Sequence, residues 1–88
     1  MTSIDISVMR AIYNEITSGR GINNSTHSVI VREALRNYGA VTSFQLIEAN
    51  QKTYEILDMF WKFPHEQVVK YIQDKINKSK YELEIKIV

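Results

Sequence analysis

The stretch SVIVREALRNYGAVTSFQLIEANQ, Ser28 to Gln51, holds a helix, a glycine stop and the start of a second helix in one short span. Its first half places Ile30, Val31, Ala34, Leu35 and Tyr38 on one apolar helical face. Just upstream, Ser25, Thr26 and Ser28 are all candidate N-caps. Gly39 follows the last apolar position, where glycine commonly closes a helix because it enters the left-handed conformation without a Cβ clash. Thr42 then stands three residues before Gln45, the spacing of a capping box, and Val41 is placed to staple onto Leu46. A further helix is therefore expected from Ser43.

Upstream, Ile4, Ile6 and Val8 alternate with Ser3, Asp5 and Ser7 as in a half-buried strand, while Val8, Met9, Ile12, Tyr13 and Ile16 follow with helical spacing. Either a short strand runs into a helix or one helix is capped at Ser3. The segment TSGRGINNST, with two glycines and two asparagines, reads as a loop. Downstream, the apolar positions Phe44, Leu46, Ile47, Tyr54, Leu57, Phe60 and Trp61 fit one long helix or two shorter ones broken near EANQK. Pro64 ends that segment and opens a fourth helix carrying Val68, Val69, Ile72 and Ile76 inward, which should fade at NKSK.

The closing KYELEIKIV alternates Tyr81, Leu83, Ile85 and Ile87 with charged residues, the clearest strand pattern in the chain. Its only candidate mate is Ile4 to Val8, paired within one subunit or across a dimer. The expected fold class is thus α+β and mostly α: a single domain over residues 1–88 with four helices, a short N-terminal strand and a C-terminal strand.

With 88 residues, a split chain would leave two pieces too small to bury a core. A hydrophobic fraction of 44%, three glycines and one proline are those of a folded domain. The chain has no cysteine, and its two histidines, His27 and His65, are isolated, so neither a metal site nor a disulfide framework is expected. The setting is read as cytoplasmic: no signal segment is visible, and no run approaches the roughly 18 apolar residues of a membrane span. Glu15, Glu33, Glu48, Glu55 and Asp58 stand singly, with no histidine beside a pair of them, and SGRG lacks the ending of a phosphate loop. No enzyme activity and no cofactor are expected.

The net charge of +1 supplies no long-range attraction to nucleic acid. The cations are nevertheless sorted: Arg10, Arg20, Arg32 and Arg36 precede residue 40, and every lysine follows residue 50. Guanidinium groups suit phosphates and base edges better than ammonium groups do.

Val31, Ala34, Leu35, Tyr38 and Gly39 followed by AVTSFQLI resemble the first two helices of winged-helix and related helix-turn-helix regulators. Where that family places its recognition helix this chain has EANQKTYEILDMFWKF, and a helix after Pro64 replaces the wing hairpin. The resemblance implies DNA as partner, with Gln45, Asn50 and Gln51 suited to base edges and Lys52 to phosphate. Residues 1–38 also resemble the ribbon-helix-helix domains of ParD-type antitoxins and CopG-like repressors, through TSIDI and SGRGINNSTHSVIVREALRNYG. That resemblance implies an intertwined homodimer whose strands present Ser3, Asp5 and Ser7 to the major groove, with Arg20, Arg32 and Arg36 on phosphates and a partner-binding segment from Ala40.

The sequence reading favours a small DNA-binding transcriptional regulator, dimeric and without membrane attachment. The alternative is a protein-binding accessory factor (an antitoxin, adaptor or inhibitor) whose contact residues are Phe60, Trp61 and Phe63 in MFWKFPH. Helical geometry cannot turn all three inward, and an exposed aromatic there is a natural anchor for a protein partner.

Overall fold

A computed structural model describes the backbone of residues 3–87 and the side chains of residues 3–80. The described residues form four helices, α1 (Ile4–Thr17), α2 (Thr26–Tyr38), α3 (Ser43–Lys62) and α4 (His65–Ile87), with no strand among them. Between α2 and α3, Gly39 takes φ 98° and donates its N–H to the Leu35 carbonyl at 3.0 Å. The Thr42 hydroxyl accepts from the Gln45 N–H at 3.1 Å, and Gln45 Oε1 accepts from the Thr42 N–H at 2.9 Å, so both halves of the capping box form. Val41 and Leu46 stay exposed, so the expected staple buries neither.

Thr42→Ala removes the hydroxyl that accepts from the Gln45 N–H and keeps the backbone N–H that donates to Gln45 Oε1. A loss of about 1 kcal/mol is expected, read as a lower urea midpoint at unchanged slope. An unmoved midpoint would mean that α3 does not depend on this cap.

The N-terminal strand is not formed. Residues 4–17 are helical, with Ser3 Oγ accepting from the Ile6 N–H at 3.3 Å as the N-cap. Ile4, Val8, Ala11, Ile12 and Glu15 are buried along one face, and Ile6 is half-buried on its flank. Positions i and i+4 satisfy a period of two and a helical face alike, so alternation over Ile4–Val8 did not distinguish them. The C-terminal strand is not formed either: α4 runs through NKSK and its backbone stays helical to Ile87. A helix satisfies its backbone groups within the segment, whereas a strand here has no second strand to pair with. The side chains of Tyr81, Leu83, Ile85 and Ile87 lie outside the described residues.

EANQK does not break α3, because Ala49 and Thr53 continue its inner face at zero exposure. The buried Thr53 hydroxyl donates to the Ala49 carbonyl at 2.7 Å, which removes the cost of an unpaired polar group. Phe63, extended at φ −128° before Pro64, ends the helix as proline's steric demand requires.

Helix α1 packs against all three other helices, and α3 and α4 touch each other only slightly. Val8, Ile12, Ile30, Ala49 and Ile72 are wholly inaccessible to solvent, and Val68 nearly so. Small residues at Ala34, Ala49 and Thr53 mark the buried faces of α2 and α3. Ile56 is also buried there, and Leu57, Met59 and Phe60 pack half-buried against the core, while Phe44, Ile47, Tyr54 and Trp61 are left exposed and mark the site.

Candidate functional site

The residues assigned to DNA are mostly engaged within the chain. Gln45 completes the α3 cap. Asn50 is half-buried, with Oδ1 3.0 Å from His27 Nε2, which ties α3 to α2. Lys52 reaches Glu55 at 3.3 Å and Asp5 at 3.6 Å, in an open groove of about 450 Å³ that also presents Glu48. Arg36 pairs with Glu33 and Arg20 with Glu15, each at 3.4 Å. Arg32 and Gln51 are exposed, with no side-chain partner among the described residues. Of the positions that the ribbon reading aims at a groove, Ser3 caps α1, Asp5 pairs with Lys52, and Ser7 is buried.

Partial burial by itself lowers the pKa of the Lys52 ammonium, but the Glu55 and Asp5 carboxylates more than offset it and leave the pKa above the ordinary 10.5. A raised folded pKa makes the charged lysine stabilising below 10.5, and that contribution disappears as pH rises through the higher folded value. Wild type should therefore exceed Lys52→Met in unfolding free energy at neutral pH, with the gap closing only above about pH 10.5. A gap that closes near neutrality would contradict the ion-pair origin.

The aromatic residues assigned to a protein partner divide. Phe60 is half-buried against the core and lies 5.3 Å from the His65 ring, centroid to centroid. Phe63 is exposed, and Trp61 is 90% exposed. Tyr54, one heptad before Trp61, is 63% exposed, with its ring stacked on His27 at 4.0 Å. Ile47, a heptad earlier again, is 54% exposed, and Phe44 is 67% exposed. These side chains share the face of α3 opposite Ala49, Thr53 and Ile56.

At the Trp61 end an open groove of about 660 Å³ lies between α3, the loop before α2 and the start of α4, lined by Ile22, His27, Tyr54, Leu57, Trp61 and His65 among others. Asn50 orients the His27 ring, and His27 supports Tyr54, so the polar residue first read as a base reader braces this aromatic wall. His27 Nδ1 is buried without a hydrogen-bond partner. Among the described residues no three acidic or histidine side chains converge on a possible metal position.

Phe44, Ile47, Tyr54 and His27 escaped assignment from sequence. The signal for Phe44, Ile47 and Tyr54 was present in the spacing of the bulky residues of α3, whereas His27, on α2, stood outside that stripe. No helix of the described residues is long and apolar enough to cross a membrane. No protein-family model, no curated protein and no solved structure matches the chain.

Proposed function

We propose that the chain is a protein-binding accessory factor, with the outer face of α3 and the groove at its Trp61 end as the contact surface. The observation that carries this reading is Trp61, nine-tenths exposed in the last turn of α3 and on the same side as exposed Tyr54, Ile47 and Phe44. Several large exposed apolar residues on one helix side characterise interaction sites, and tryptophan and tyrosine dominate binding hot spots. A DNA-binding role asks more of the same geometry: Arg36, Gln45, Asn50 and Lys52 must first leave intramolecular partners.

The test compares wild type with the Ile47→Asp, Trp61→Ala double variant as immobilised bait in an extract of the cells that make the protein. Wild type should retain one protein in stoichiometric amount and the variant should lose it. In parallel, neither chain should retain mixed genomic DNA fragments at about 50 mM salt, where phosphate-driven binding is strong. Equal capture by both baits refutes the assigned surface; salt-sensitive DNA retention that Arg32→Ala weakens restores the regulator reading.

A further inference from the structure

We infer that a groove lined from α1, α2 and α4 binds a small phosphorylated polyol, with Arg10 and Lys80 as its phosphate contacts. No residue of α3 lines this groove, so the inference stands apart from the protein-binding reading.

The groove is open, about 700 Å³ in volume, and runs between α1, the last turn of α2 and α4. Its cations are Arg10 and Lys80, and no carboxylate is among its lining residues. Two cations are half-buried among the described residues, Lys52 and Arg10. Lys52 lies within ion-pair distance of Asp5 and Glu55, which offsets the cost of drawing its charge out of water. Arg10 has no such partner: the ion pairs among the described residues take up Arg20, Arg36, Lys52 and Lys62. Its own helix cannot supply one, because the residues three and four positions away are Ile6, Ser7, Tyr13 and Asn14. A half-buried guanidinium with five N–H donors therefore faces a groove in which an anion from outside the chain is the missing partner.

The two positive charges match a phosphate monoester, which carries about −1.5 to −2 at neutral pH and three acceptor oxygens. A carboxylate brings a single charge. A nucleic-acid strand, with one charge on each phosphate, needs a row of cations along its path, and this groove presents two.

The other lining residues define the body of the ligand. Asn14, Asn37, Gln73 and Asn77 each bring an amide that donates and accepts hydrogen bonds. The Tyr13 hydroxyl accepts from Gln73 Nε2 at 3.4 Å and keeps its own O–H to donate. Ile76 is the one lining side chain without a polar group. Hydroxyls on the ligand replace the water that these amides lose on binding, whereas an apolar body leaves them unpaired.

The test follows the isotope-labelled full chain by heteronuclear NMR in phosphate-free buffer. Glucose 6-phosphate should move the side-chain amide signals of Asn14, Asn37, Gln73 and Asn77 and saturate with a dissociation constant of about 1 mM or tighter, within reach of a ligand of its size. Glucose, gluconate and hexyl phosphate should each bind at least about tenfold more weakly, lacking the charge, the second charge and the hydroxyls respectively. Arg10→Gln should weaken glucose 6-phosphate by about tenfold to a hundredfold, as loss of a charged hydrogen-bond donor does. Lys80→Gln, at an exposed position, should weaken it by about two- to fivefold.

Absence of a saturable shift by about 20 mM ligand overturns the site. Gluconate binding as tightly as glucose 6-phosphate overturns the phosphate, and hexyl phosphate doing so overturns the hydroxylated body. Unchanged affinity in both Arg10→Gln and Lys80→Gln overturns the assigned contacts. A short single-stranded oligonucleotide that binds more tightly than the hexose phosphate overturns the small ligand in favour of a nucleic acid.

Discussion

Replacing Trp61 by alanine will weaken partner binding by about thirty- to a thousandfold, the cost of truncating an aromatic hot spot, while leaving the fold intact. The side chain is 90% exposed, so the free protein loses almost no buried contact with it. A surface substitution of this kind stays within about 0.5 kcal/mol in stability. The neighbouring aromatic is the internal control. Phe60 packs half-buried against the core, so Phe60→Ala should lower the unfolding temperature where Trp61→Ala does not. Titration calorimetry with the captured partner and thermal unfolding by circular dichroism separate the two effects. If Trp61→Ala unfolds as readily as Phe60→Ala, the tryptophan belongs to the core and the contact surface is misassigned.

Ile12→Ala will have the largest effect on stability. Ile12 is wholly inaccessible on α1, the helix that packs against all the others, so its truncation leaves a cavity that no single element can collapse into. About 3 kcal/mol is expected from the lost transfer energy and the residual void. At about 4–8 °C per kcal/mol for a domain of this size, the unfolding temperature falls by roughly 12–24 °C. Since small domains have only about 5–15 kcal/mol in total, the variant should be partly unfolded in modest denaturant. Ile12→Val, which removes one methylene, should cost about 1 kcal/mol. A loss under about 1 kcal/mol for the alanine variant would place Ile12 outside the packed core.

How far the letters of the chain could be read depended on the range of the interaction. Gly39 closing α2, the Thr42–Gln45 box opening α3 and Pro64 separating α3 from α4 were all legible, because each acts through bonds or clashes within four residues. The N-terminal segment was ambiguous because Ile4 and Val8 suit both a strand and a helix. KYELEIKIV alternated as a strand does, yet the backbone continues α4 as far as Ile87, since a strand needs a mate from elsewhere in the chain.

The candidate site was legible in part. Trp61 and Phe63 were marked by their crowding beside Pro64, and both are exposed. Phe44, Ile47 and Tyr54 were visible as apolar helical positions but given no role, while Asn50 and Lys52 were read as DNA contacts although His27, Asp5 and Glu55 engage them.

The sequence by itself determined where α2 ends, where α3 begins and where α3 gives way to α4, because capping bonds and proline sterics are complete within a turn of chain. Only the tertiary structure decided which face of α3 turns inward. Ala49, Thr53 and Ile56 face the core and Leu57, Met59 and Phe60 pack half-buried against it, as close packing with the other helices requires. Phe44, Ile47, Tyr54 and Trp61 were thereby left facing solvent, and with them the surface proposed for a partner.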